Sequence, residues 1–274
     1  MINRITNHCK TLRHSSLLSL CVGLICYLLS FAVTADNVSI NVYLKLKPDN
    51  QVDKLINEFN QFLEQHHILS RYQIKPYLNQ HPLHITLYMT NYKAQQIPLI
   101  IKQAKALASQ YHPITLLTSE FIANNSGYVM LPVAQEVRIQ KLSNQALHAL
   151  ASLRDKNALI PDWAAQDKGR QLVFSQYGSP NVLNYFNPHF SVFTAENLDK
   201  EERTQLYAQL QQLIRQFAQS HSTQVKANAY SIGVGIADAQ GQIVKELNAF
   251  DLAQTELPSS SAKRRTSRIW HRAI

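Results

Sequence analysis

Leu83-His84-Ile85-Thr86-Leu87-Tyr88-Met89 and His189-Phe190-Ser191-Val192-Phe193 are the two stretches on which the fold turns. Each places a histidine two residues before a hydroxyl, inside a short run of β-formers that reads as a strand with alternating faces. The H-x-S/T triplet alone selects nothing, because His14-Ser15-Ser16 and His221-Ser222-Thr223 also match it. Context separates the copies: His14 precedes an apolar run of signal type, and His221 follows a helical pattern. Strict alternation puts His84 and Thr86 on one face with Tyr88, and His189 and Ser191 on one face with Phe193.

The surroundings of the two stretches repeat. Before the first lie a strand pattern from Val38 to Leu46 and a helical pattern from Val52 to His66, with Leu55, Phe59 and Leu63 as an apolar stripe. After it come a helix from about Ile97 to Tyr111 and a two-strand pattern from Ile114 to Leu131. Asn124-Asn125-Ser126-Gly127 is the hairpin turn of that pair. A helix from about Val137 to Leu153 closes the half. Residues Asp155 to Asn187, punctuated by Pro161, Gly169, Gly178 and Pro180, read as a loop-rich connection. The second histidine strand is then followed by a helix from Lys200 to Gln219 and by strands from Val225 to Gly235 and from Ile243 to Phe250. Strand, helix and hairpin thus follow each histidine. That order predicts an α+β, bilobal, pseudo-two-fold duplicated fold, with two antiparallel sheets lining a central cleft and helices outside.

The chain has 274 residues, enough for one large domain or two small ones. Arg4, Lys10 and Arg13 precede an apolar run from Leu17 to Val33 that ends in small residues at Val33-Thr34-Ala35. Residues 1–35 therefore read as an export signal, with a membrane anchor as the alternative reading of residues 17–35. The expected location is periplasmic or secreted. All three cysteines, Cys9, Cys21 and Cys26, fall in this segment, so a processed chain has no disulfide, thiolate nucleophile or cysteine-based zinc site. Without it the balance is 24 Lys+Arg against 18 Asp+Glu. Lys263, Arg264, Arg265, Arg268 and Arg272 crowd the end, and residues 256–274 read as a flexible basic tail suited to weak contact with anionic surfaces. Residues 36–255 form the expected folded body, which calls for no obligate protein partner.

Two imidazoles facing one another, each with a hydroxyl beside it, suit cleavage of a phosphodiester. A neutral histidine takes a proton from the attacking oxygen and a protonated one gives a proton to the leaving oxygen. Thr86 and Ser191 would donate to the non-bridging phosphate oxygens. The scheme calls for neither a metal nor another cofactor. His66, His67, His81 and His84 lie close in sequence, but they lack an HExxH-like spacing and no carboxylate accompanies either motif. Tyr88, Tyr185 and Phe193 are candidates for stacking on a base, against plain packing. Lys168 and Arg170 read as a solvated basic loop.

Pro82-Leu83-His84-Ile85-Thr86-Leu87 and Phe186-Asn187-Pro188-His189-Phe190-Ser191-Val192 resemble the two H-x-T/S-x signatures of the two-histidine (2H) phosphoesterase superfamily, which includes 2′-5′ RNA ligase-like and cyclic phosphodiesterase proteins. The likeness spans roughly residues 38 to 252. It implies a bilobal fold with both motifs in a central cleft and metal-free action on 2′,3′-cyclic phosphates or 2′-5′ linkages. His84 and His189 would be the acid–base pair, Thr86 and Ser191 the phosphate clamps, and a nucleotide or oligonucleotide phosphodiester the substrate. The chain departs from the pattern in its long connection, in serine where threonine is commoner, and in its export signal. A non-catalytic exported protein that holds a nucleotide or phosphometabolite on the same fold is the alternative.

Overall fold

Strands β1 (Asn37–Leu46) and β2 (His84–Lys93) run antiparallel at one side of a five-stranded sheet. β7 (Lys226–Ala237) lies on the other side of β1, and β3 (Ile114–Leu117) and β8 (Ile243–Asp251) both pair with β7. A second, three-stranded antiparallel sheet has the order β4 (Ile122–Ala123), β5 (Tyr128–Pro132), β6 (His189–Thr194). The computed structural model describes residues 37–253. The N-terminal apolar stretch and the basic tail read from the sequence lie outside the described residues. No helix among the described residues is long and apolar enough to cross a membrane.

The protein is α+β with two antiparallel sheets, as the repeated element order implies, and the two halves interlock. The hairpin β4–β5 of the first half pairs with β6 of the second, while the hairpin β7–β8 of the second half pairs with β1 and, through it, β2. Neither motif strand is held by the hairpin that follows it in sequence.

Helices cover the sheets where the apolar periodicity places them. α1 (Gln51–Gln65) starts at a capping box: Asn50 Oδ1 accepts from the amides of Val52 and Asp53, and Asp53 accepts from the Asn50 amide. Its stripe of Val52, Leu55, Ile56, Phe59 and Leu63 is buried. A single turn, α2 (Ile68–Arg71), follows, held between residues of positive φ at His67 and Gln73. α3 (Ile97–Ala108) packs on β7 and β8, and α4 (Val137–Leu150) packs on β2. α6 (Lys200–Ser220) lies against β4 and α1, and a capping box of Asp199 and Glu202 starts it.

Between α1 and α6, the ring of Phe59 stacks on Phe121 at 4.0 Å and meets Phe217 edge-on at 5.1 Å. Phe217 also stacks on His221. His221, the third of the four H-x-S/T histidines to be placed, therefore serves as a packing residue.

The connection from Asp155 to Asn187 is not all loop. It contains α5 (Lys168–Tyr177), capped by Asp167, whose side chain accepts from the amides of Gly169 and Arg170, and ended by Gly178 at φ 72°. No residue of α5 is fully buried, so the helix carries no apolar stripe to read. Arg170 donates to the Pro180 carbonyl and to Asn181, and pairs with Asp167 at 3.6 Å. It staples this helix.

Truncating Phe217 to alanine removes a fully buried ring packed against four others and is expected to cost about 3–5 kcal/mol of stability. Urea denaturation followed by circular dichroism measures it, and a loss below about 1 kcal/mol would contradict this packing.

Candidate functional site

Both motif strands carry a bulge at the same place. On β2, Thr86 pairs with Tyr43 and Tyr88 with Val42, so Leu87 has no partner on β1. On β6, Ser191 pairs with Met130 and Phe193 with Val129, so Val192 has none on β5. An unpaired residue reverses the alternation of everything after it. Histidine and hydroxyl keep one face, while Tyr88 and Phe193 are carried to the core face beside Val42 and Val129. Tyr88 is 1% and Phe193 0% exposed, and the Tyr88 hydroxyl donates to the Tyr177 carbonyl. Strict alternation therefore misplaced these two rings, which pack in the core and have no face to offer a base. Tyr185 is half-buried in the turn before β6, with the guanidinium of Arg170 over its ring at 4.8 Å.

The bulge returns one more residue of each strand to the site face, five positions after the histidine: Met89, opposite Asn41, and Thr194, opposite Tyr128. Asn41 and Tyr128 thereby occupy equivalent positions in the two sheets, and they act alike. The Asn41 amide nitrogen donates to Thr86 Oγ1 at 2.7 Å and lies 3.4 Å from His84 Nε2. The Tyr128 hydroxyl is 2.8 Å from His189 Nε2 and 2.7 Å from Ser191 Oγ. Each motif is thus bridged by one side chain from its neighbouring strand. The sequence reading missed both bridging residues, because strand pairing rather than local pattern brings them to the motifs.

The histidines are oriented in the same way as well. Nδ1 of His84 lies 3.0 Å from the Pro82 carbonyl, and Nδ1 of His189 lies 2.7 Å from the Asn187 carbonyl, each two residues back. A carbonyl only accepts, so Nδ1 carries the proton and Nε2 of the neutral ring is the lone-pair nitrogen that faces the site. The directions of the remaining bonds follow. Tyr128, whose pKa burial raises well above the usual phenol value, donates its proton to His189 Nε2, and Ser191 then donates to the phenol oxygen. On the other side Asn41 also donates to the Gly241 carbonyl at 3.1 Å, which fixes its amide nitrogen toward His84 and Thr86. Thr86 accepts from Asn41, which leaves its own hydroxyl proton to be donated. The buried Asn41 Oδ1 has no protein partner.

Tyr43, opposite Thr86 on β1, supports the first motif from the same face. Its ring packs edge-on to His84 at 5.3 Å, and its hydroxyl donates to Glu246 at 2.7 Å. Gly233 of β7 makes this placement feasible, since a Cβ there would lie 2.3 Å from the Tyr43 ring.

His84 and Ser191, one from each motif, line a single small cavity with Tyr77, His81 and Gln242. Its volume of about 10 Å³ has room for about one water. His84 is buried, and burial lowers its pKa below the usual histidine value. The Pro82 and Gly241 carbonyls favour its charged form without offsetting burial, and protonation of His189 or His81 would lower it further. Burial also lowers His189, against the raising effect of the Asn187 carbonyl. Both rings are therefore neutral at pH 7. His66 bonds to the Phe62 carbonyl of its own helix, and among the described residues no group of three or more His, Cys, Asp or Glu side chains is placed to hold a metal.

Residues 89–232 match the model of a family described as "Protein of unknown function (DUF1045)". The chain belongs to that family. No curated protein matches it in sequence. Solved structures similar to this DUF1045 chain include TT0787 of Thermus thermophilus, at 13% identity and a TM-score of 0.49 over 79% of this chain and 98% of that one. E. coli LigT complexed with 3′-AMP is similar at 13% identity and a TM-score of 0.46, over 80% and 100%. Kluyveromyces marxianus Usb1 is similar at 12% and 0.47, over 81% and 99%. The chemistry open to this DUF1045 protein rests on its own side chains.

Acidification tests the site's electrostatics. Both histidines are held below their unfolded value of about 6.5, so the folded protein binds fewer protons than the unfolded chain in that range. The stability they contribute is complete above about pH 6.5 and is lost as pH falls through the folded-state values. A His84→Gln/His189→Gln variant is expected to lose less stability than the native protein between about pH 7.5 and 5 in denaturant titrations. Equal losses in the two proteins would contradict the burial assigned to these rings.

Proposed function

We propose that this protein is a phosphodiesterase of the two-histidine type, opening 2′,3′-cyclic phosphates or 2′-5′ linkages by acid–base catalysis. The observation that carries this reading is the matched pair of motifs. In each, Nδ1 is tied back to a carbonyl, Nε2 is aimed at the site, and a hydroxyl stands on the same face. Two such groups around one phosphate supply both proton transfers and two donors to the non-bridging oxygens. The resemblance of the motifs to those of the two-histidine phosphoesterases supports the same chemistry.

The neighbours of the two rings differ enough to divide the roles. The nitrogen of Asn41 only donates, which suits an unprotonated Nε2, and the charge of His189 acts against protonation of the buried His84. The phenol at His189 donates to a neutral Nε2 and accepts from a protonated one, so it accommodates both states. His84 is accordingly the base and His189 the acid. His84 Nε2 takes a proton from water as its oxygen bonds to phosphorus. The bond from phosphorus to the leaving oxygen breaks, and that oxygen takes the proton from His189 Nε2. Thr86 donates to one non-bridging oxygen, and Ser191 donates to another once protonation of His189 turns the Tyr128 hydroxyl proton toward Ser191 Oγ. His189 is neutral in the free protein, and the negative charge of the incoming phosphodiester favours its protonation.

Steady-state assays with 2′,3′-cyclic nucleotides in the presence of a chelator test the activity. His84→Ala and His189→Ala are each expected to lower kcat about 10²- to 10⁴-fold. With a p-nitrophenyl phosphodiester, whose leaving group needs no proton, His189→Ala should recover most of its loss while His84→Ala does not. The opposite pattern would exchange the two roles. No turnover of any cyclic or 2′-5′ substrate by the native protein would favour the binding protein over the enzyme.

A further inference from the structure

The small cavity between the motifs adjoins a much larger one. Tyr77 and His81 line both, so the second pocket begins where the reacting phosphate would sit. Its volume of about 670 Å³ falls within the roughly 300–1,000 Å³ of small-molecule sites. Three segments meet there: the loop after α2, the loop after β6, and the β7–β8 turn.

The chemistry of this pocket differs from that of a nucleic-acid groove. Glu196, Glu202 and Asp238 line it against Arg71 and Lys75. Arg71 lies over the ring of Tyr72 at 5.2 Å, its charge partly engaged there. Asp238 closes the β7–β8 turn by accepting from the Gln240 and Gln242 amides. Glu196 is exposed, and its charge and that of Asp238 both act on the Tyr77 hydroxyl at the junction of the two cavities. That hydroxyl donates to Thr194 Oγ1 at 2.7 Å, with Thr194 itself on the site face of β6. Carboxylates therefore stand one side chain away from the place where a phosphate reacts. A phosphate at the reacting centre has the imidazoles and hydroxyls to receive it, whereas a second one in the adjoining pocket would meet an excess of like charge, three carboxylates against Arg71 and Lys75.

We propose that the pocket lined by Tyr77, His81, Glu196, Glu202 and Asp238 takes the non-reacting arm of the substrate, and that it selects arms bearing hydroxyl, amide or amine groups over arms bearing a further phosphate. This inference rests on the phosphodiesterase reading and narrows it. The substrate is a small phosphodiester with one uncharged or cationic polar arm, and the end of an RNA chain, whose next phosphates would enter the acidic pocket, is disfavoured.

The test compares a nucleoside 2′,3′-cyclic phosphate with the same compound carrying a 5′-phosphate, in the native protein and in Glu196→Gln and Glu196→Gln/Asp238→Asn. The native protein should prefer the compound without the 5′-phosphate by about tenfold or more in kcat/KM, and the variants should narrow that ratio. Equal turnover of the two compounds by the native protein, or a ratio unmoved by either variant, would overturn the proposal. If neither these compounds nor a 2′-5′ dinucleotide is turned over, the phosphodiesterase reading fails, and calorimetry with the nucleoside and its 5′-monophosphate decides the pocket separately. Tighter binding of the nucleoside supports the selection proposed here, and tighter binding of the monophosphate overturns it.

Discussion

The backbone pairings that set the register of the two histidine strands are the constraint on which everything else depends. β6 takes its register from β5 of the other half, while β2 takes its register from β1 of its own half, which β7 of the second half holds in turn. Register decides which side chain stands beside which. The pairing of β5 with β6 brings Tyr128 to His189 and Ser191. The pairing of β1 with β2 brings Asn41 to His84 and Thr86. A slip of one residue on either strand would exchange the site face for the core face and bury the wrong groups.

The paired bulges solve a problem that both motifs share. A strand whose alternate residues are histidine, hydroxyl and then a large aromatic would crowd an active cleft with a ring. The unpaired Leu87 and Val192 end that alternation, sending Tyr88 and Phe193 into the core and returning Met89 and Thr194 to the face of the histidine and hydroxyl. The same residues thus serve packing and chemistry without competing for one face. Burial has its own consequence: both rings are held neutral, and a negative charge brought beside either one would favour its protonation.

Much of this arrangement was legible in the sequence, and the parts that were not have physical reasons. Strand context separated His84 and His189 from the other H-x-S/T histidines, and the repeated element order implied two antiparallel sheets. The bulges left no mark, because an extra Leu or Val inside an apolar strand looks like one more β-former. Asn41 and Tyr128 were invisible for a different reason: they reach the motifs through strand pairing, and no local pattern announces a partner on another strand. α5 escaped because it buries no residue fully, although Asp167 and Gly178 were available as cap signals. The exchange of hairpins between halves likewise lies in sheet order, which periodicity does not encode.

The central claim is that two Nδ1-protonated imidazoles face one phosphate, with His84 as base and His189 as proton carrier. Nitrogen-15 NMR of the histidine side chains, recorded through a pH titration with and without a non-hydrolysable phosphodiester analogue, measures it most directly. The expected result is Nδ1–H tautomers for both rings, with both titrating below the ordinary histidine value in the free protein. On binding, His189 alone should become doubly protonated near neutral pH. Protonation of His84 instead, or an analogue that leaves both rings unperturbed, would contradict the account.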